Sequence, residues 1–266
     1  MATIVFLHAH PDDEASSTSG SMTRASQQGD RVVVVYATNG CHGEVPEDLA
    51  EGETLVERRR AEAEASARVT GTARVEWLGY DDSGMTGWES NTVPGAFCSA
   101  DLDEAAGRLA RILDEEQADV LVGYDWHGNY GHPDHVKVHP VAYRAAQLAE
   151  RRPRVLEVTT NRDLFARTMG AAREAGMEMD FDPSGPADDG NPMGTPEQEI
   201  HWAVDVTGQL VAKREALLCH ASQTTDIGML TSIPAEAFEV GFGREFYREH
   251  GRPNGLQEGW PFTPLD

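Results

Sequence analysis

The feature that most constrains the fold is a repeated alternation of short β-branched, apolar runs with stretches of helical periodicity. The runs are TIVFL (3–7), RVVVVYAT (31–38), ARVEWLGY (73–80), ADVLVGYDW (118–126) and RVLEVTTN (154–161). Helical patterns lie near 14–28, 54–70, 101–116 and 135–151, and two more near 205–220 and 234–248. Strands that are apolar on both faces and alternate with helices pair in parallel and are covered on both sides. The alternation therefore predicts an α/β fold: a Rossmann-like, doubly wound, mostly parallel sheet with helices on both faces. At 266 residues the chain, 1–266, reads as one domain.

Ligands of such sheets bind beyond the carboxyl ends of the strands, so the residues after each run matter most. The first run is followed by AHPDDE (9–14). A proline at the first helical position with acids in the first turn would begin a helix and offset its dipole. That accounts for Pro11, Asp12, Asp13 and Glu14 but not for His10. The fourth run leads into DWHGNYGHPDHVKVH (125–139), where His132-Pro133-Asp134-His135 repeats the His-Pro-Asp of 10–12 in the same slot. If the two turns meet, His10, Asp13 and His135 supply two imidazoles and one carboxylate. This ligand set serves catalytic Zn²⁺ with a position left for water, and equally the facial triad of Fe(II) enzymes. Asp12 is then a spare carboxylate in the place of a general base, and Asp134 can hold a histidine from behind. A metal or sugar binding module that performs no reaction would need no such base.

The other histidines attract less interest. His8 lies within the first strand pattern and reads as a core residue; His139, one turn after His135, is a weaker ligand candidate. His42, His127, His201 and His250 belong to no constellation. No G-x-G-x-x-G or P-loop pattern follows any run, which removes the main support for a nucleotide site. Cys41, Cys98 and Cys219 are odd in number and widely spaced, so they predict reduced thiols without a disulfide framework or Cys-x-x-Cys site.

A net charge of −23 opposes nucleic acid and anionic membranes as partners and suits a metal cation with a small, neutral substrate. No apolar run approaches a membrane span, and no basic segment precedes the first run, so a cytoplasmic location is expected. Residues 177–199, rich in Pro, Gly and acids, read as a long mobile loop that could cover the site.

The pair AHPDDE and HPDH resembles the LmbE-like, or PIG-L, zinc-dependent N-deacetylases. Arg59-x-x-Glu62, WLGYDDSGM (77–85), Tyr130 before HPDH and KREALLCHASQ (213–223) extend the resemblance along nearly the whole chain. It implies zinc on His10, Asp13 and His135, and Asp12 as base. It further implies a charged or proton-donating His132, Tyr130 at the oxyanion, and Arg59 and Asp82 holding the sugar or inositol part. The implied activity is hydrolysis of an N-acyl amide on a glucosamine-type sugar or a mycothiol-like conjugate. The loop TNGCHGE (38–44) departs from the family pattern, where an acid often replaces Cys41, and this bears on the substrate pocket.

Overall fold

The computed structural model describes residues 1–174 and 185–264. Its strands are β1 (Thr3–His8), β2 (Arg31–Thr38), β3 (Arg74–Tyr80), β4 (Val120–Tyr124), β5 (Arg154–Thr159), β6 (Trp202–Asp205), β7 (Arg244–Arg248) and β8 (Gln257–Glu258). Among the described residues they form one eight-stranded sheet in the order β3-β2-β1-β4-β5-β7-β6-β8. The first five are parallel; β7 runs antiparallel to both β5 and β6. Ile4, Val5, Phe6 and Leu7 of β1 and Val32 to Val35 of β2 are fully buried, as strands covered on both faces must be.

The helices are α1 (Asp13–Ser17), α2 (Ser19–Gln27), α3 (Leu55–Thr70), α4 (Leu102–Glu116), α5 (Pro133–Leu148), α6 (Arg162–Glu174), α7 (Leu210–Cys219), α8 (Thr224–Ser232) and α9 (Ala235–Phe242). Helices α1, α2 and α3 pack with α7, and α4 packs with α5. None is long and apolar enough to cross a membrane. The chain winds outward from β1 through β2 to β3, then returns to the other side of β1 as β4. The register Ile4↔Val120, Val5↔Leu121 and Phe6↔Val122 makes β1 and β4 neighbours. The two His-Pro-Asp turns therefore leave adjacent strand ends at the switch point of the sheet.

Several local expectations change. The pattern at 14–28 is two helices, and Pro11 does not occupy a first helical position: α1 starts at Asp13, with Asp12 as its cap in a left-handed conformation. In the second motif Pro133 does open the helix, with His132 as its cap. The pattern at 234–248 splits into α9 and strand β7, and β6 precedes the helix expected at 205–220. Of the loop at 177–199, residues 177–184 lie outside the described residues. The remainder docks on the second motif: Gly194 N donates to Asn129 O at 2.7 Å and Asp188 N to Tyr130 O at 2.9 Å.

The restart of the chain at α2 has a buried cause. Gly20 N and Ser21 N, at the positive end of the helix, donate to the two oxygens of Glu245 at 2.9 and 2.8 Å. Lys213 Nζ reaches the same carboxylate at 2.6 Å, and the two side chains are only 1% and 3% exposed. A Cβ at position 20 would lie 2.7 Å from Val206 Cβ, so only glycine permits this approach. Lys213→Met would strand the Glu245 charge, and a loss of about 3–5 kcal/mol is expected in urea unfolding. Adding Glu245→Gln should recover part of that loss, because the uncompensated charge is then removed.

Candidate active site and metal centre

The turn after β1 brings His10 into a ring of carboxylates. Its Nε2 lies 3.2 Å from Asp134 Oδ2 and 3.4 Å from Asp82 Oδ1, and its Nδ1 lies 3.4 Å from Asp13 Oδ2. Burial alone would lower its pKa, but Asp82, Asp13 and Asp134 outweigh it and raise it well above the ordinary value. With Nε2 held by Asp134, Nδ1 is the ring nitrogen turned toward the remaining partners. That nitrogen faces His135 Nε2 at 3.3 Å, and His135 Nε2 is 3.3 Å from Asp13 Oδ1.

The 3.3 Å between His10 Nδ1 and His135 Nε2 approaches the ~3.3 Å edge of a tetrahedron with metal bonds near 2.0–2.1 Å, and Asp13 faces each nitrogen with a different oxygen, Oδ2 at 3.4 Å and Oδ1 at 3.3 Å. The donor set thus fits a divalent cation. Burial pushes the Asp13 carboxyl up, but His135 and His10 overcome this and hold it well below the usual range. Two groupings without Asp13 also place ligand atoms within 4.8 Å of one another: His10 with His132 and His135, and His10 with Asp82 and Asp134. The second is already committed. Asp82 accepts from Gly84 N at 2.8 Å and His42 N at 3.2 Å; Asp134 accepts from Ser83 N at 2.8 Å and from the Ser83 hydroxyl.

His132 caps α5, its Nδ1 accepting from Asp134 N at 3.2 Å, and its ring stands edge-on to His10 with centroids 4.6 Å apart. Burial, with the neighbouring His10 and His135, pushes it down to about 3. With Nδ1 accepting, the proton of the neutral ring sits on Nε2, which is then a donor. Tyr130 OH lies 3.4 Å from His135 Nε2. Gly128, at φ 62°, lets this loop fold back on α5, where a Cβ would collide with His135.

Asp12 sits at φ 118° and ψ −29°, a conformation that costs a non-glycine residue about 1–3 kcal/mol. Its carboxylate accepts from Arg59 Nη2 at 2.7 Å and is 25% exposed, while the Arg59 side chain is 3% exposed. Burial raises the Asp12 carboxyl to about 6 against the pull of Arg59. Arg59 also donates to Pro11 O and, at 2.8 Å, to Gly40 O. These bonds tie Arg59 to the turn that follows β1 and to the loop after β2. Asp82, 5% exposed and bonded as above, likewise anchors His10. Both make internal bonds, while the buried Arg59 Nε has no partner among the described residues.

The remaining histidines take structural places. His8 is held between Tyr124 OH and Thr18 Oγ1, each at 2.9 Å, and His139 Nδ1 meets Tyr124 O at 3.0 Å, away from the cluster. Sequence reasoning assigned no role to Glu14, Ser83 and His220. His220 and Ser222 lie in the KREALLCHASQ stretch; Ser222 N and Oγ bond Glu62 at 2.8 and 2.6 Å, so two family-like stretches brace one another.

The sequence profile described as "PIG-L: GlcNAc-PI de-N-acetylase" matches residues 5–146. A 1D-myo-inositol 2-acetamido-2-deoxy-alpha-D-glucopyranoside deacetylase of Thermobispora bispora is 35% identical over 262 residues, spanning 91% of this chain and 84% of its own. A protein of the same name from Salinispora arenicola is 37% identical, over 92% of this chain and 83% of its own. Among solved structures, the N,N'-diacetylchitobiose deacetylase of Pyrococcus horikoshii superimposes with a TM-score of 0.58 at 21% identity, over 93% of this chain and 83% of that one. The 4-carboxy-2-hydroxymuconate hydratase GalB of Pseudomonas putida does so at 0.57 and 17% identity, over 98% and 100%. A deacetylase and a hydratase thus share the fold, which by itself does not choose the reaction. The profile and the relatives do: this chain belongs to the PIG-L family of de-N-acetylases.

Proposed function

We propose that this chain is a zinc-dependent deacetylase that hydrolyses the N-acetyl amide of a glucosaminyl-inositol, the substrate type for which its relatives are named. The observation that carries the reading is the approach of His10 Nδ1, Asp13 and His135 Nε2 to within 3.3 to 3.4 Å of one another. A metal held by these three residues supplies Lewis-acid polarisation of the amide carbonyl and a water of lowered pKa. Asp12, fixed by Arg59 and raised to about 6, accepts the proton of the attacking water. The His132 Nε2–H and the Tyr130 hydroxyl donate to the carbonyl oxygen as negative charge develops. Collapse expels the amine, which takes its proton from Asp12 or His132, and the products are acetate and a free amino sugar. The spare carboxylate of Asp12 favours hydrolysis over the Fe(II) chemistry open to the same ligand set.

Release of acetate from N-acetylglucosaminyl-inositol should stop on chelation and return with Zn²⁺; activity that survives metal removal, checked by elemental analysis, would end the reading. His10→Ala, Asp13→Ala and His135→Ala should each lose bound metal. Asp12→Ala should keep it while kcat falls by about 10²–10⁴. Because the base works ionised, kcat/KM should fall as pH drops through an apparent pKa at or below about 6. A bound cation favours the carboxylate and shifts that limb down, never up.

A further inference from the structure

Glu14 and His220 are buried titratable groups that play no part in the chemistry above, yet both converge on Asp12. Glu14 is 1% exposed and His220 is fully buried. Glu14 Oε2 accepts from the Asp12 amide at 3.0 Å. Its Oε1 takes Ser66 Oγ of α3 at 2.6 Å and His220 Nε2 at 2.7 Å. His220 follows the last residue of α7, and its Nδ1 has no partner among the described residues. The Glu14 contact is therefore the side-chain hydrogen bond that orients this ring.

Asp12 needs such support. Its φ of 118° is unfavourable for a side chain bearing a Cβ and persists only where the surroundings over-determine it. Helix α1 has five residues, too few to impose a conformation on its own cap. Two holds act on Asp12 from different elements: Arg59 of α3 grips the carboxylate and the preceding carbonyl, and Glu14 grips the amide. Without the second, the backbone is free to relax toward negative φ and turn the carboxylate away while Arg59 still binds it.

We infer that Glu14, anchored by His220 and Ser66, is a positioning residue for Asp12: its hydrogen bond to the Asp12 amide fixes the left-handed turn that aims the base. The inference rests on Asp12 being the base, and it makes the end of α7 part of the apparatus that holds the first motif. No change in protonation is required of either group.

The test combines kinetics on the metal-loaded enzyme with hydrogen exchange of the Asp12 amide, read with and without metal. Glu14→Ala should retain metal and KM within about two-fold, lose about 10²-fold in kcat, as misplaced catalytic groups do, and lose protection at the Asp12 amide. Glu14→Gln keeps one oxygen for that amide and should restore protection and most of the turnover. Should Glu14→Ala fail to fold, His220→Ala tests the same link, with about ten-fold loss of kcat at constant KM and metal. Unchanged amide protection in Glu14→Ala, or unchanged turnover in His220→Ala, overturns the inference. Asp12→Ala is assayed in parallel: if it remains active, the base assignment has failed, whereas an inactive Asp12→Ala beside a fully active Glu14→Ala refutes the positioning role alone.

Discussion

The pairing of β1 with β4 is the constraint on which the site depends. Residues 10 and 135 are far apart along the chain, and neither turn holds a ligand set alone. The parallel register of Ile4 with Val120 and Phe6 with Val122 sets the two strand ends side by side, so the His-Pro-Asp turns that follow must share one space. The strands that do this are fully buried and apolar, so a one-residue slip would turn their side chains to the opposite faces and part the turns. The closeness of His10 to His135 is thus inherited from packing in the core.

Within that space His10 is the hinge of the arrangement. One ring nitrogen is fixed by Asp134 and Asp82, which are in turn fixed by Ser83, Gly84 and His42 backbone and hydroxyl groups. The other nitrogen is turned toward Asp13 and His135. A ligand held from behind loses little freedom on binding, and a carboxylate behind an imidazole raises its basicity.

The sheet was legible because β1, β2 and β4 are continuous, nearly fully buried apolar runs, and β3 and β5 alternate with helices in the same rhythm. The added antiparallel strands were not: WAVD and REFYR are short and carry charge, and REFYR continues a helical pattern until Tyr247 and Glu245 are seen to be buried on β7. The clustering of His10, Asp13 and His135 was legible because two similar turns stood after two strands. The internal bonds of Arg59 and Asp82 were not, since a residue type in a motif does not reveal which of its hydrogen bonds turn inward. Glu14 and His220 lie 206 positions apart, and no local pattern announces such a pair.

The placement of the buried cations bears on the charge of the centre. The chain has 22 Lys and Arg against 45 Asp and Glu, and its deeply buried basic groups are assigned elsewhere: Lys213 to Glu245, His220 to Glu14, Arg59 to Asp12. Asp13, Asp82 and Asp134 meet around His10 with imidazoles and neutral donors for company, and His132 is held neutral. Carboxylates gathered in so dry a place favour a positive charge beside them. In the structure His10 answers by holding its proton. A divalent cation held as proposed by His10, Asp13 and His135 would supply more positive charge at the same position.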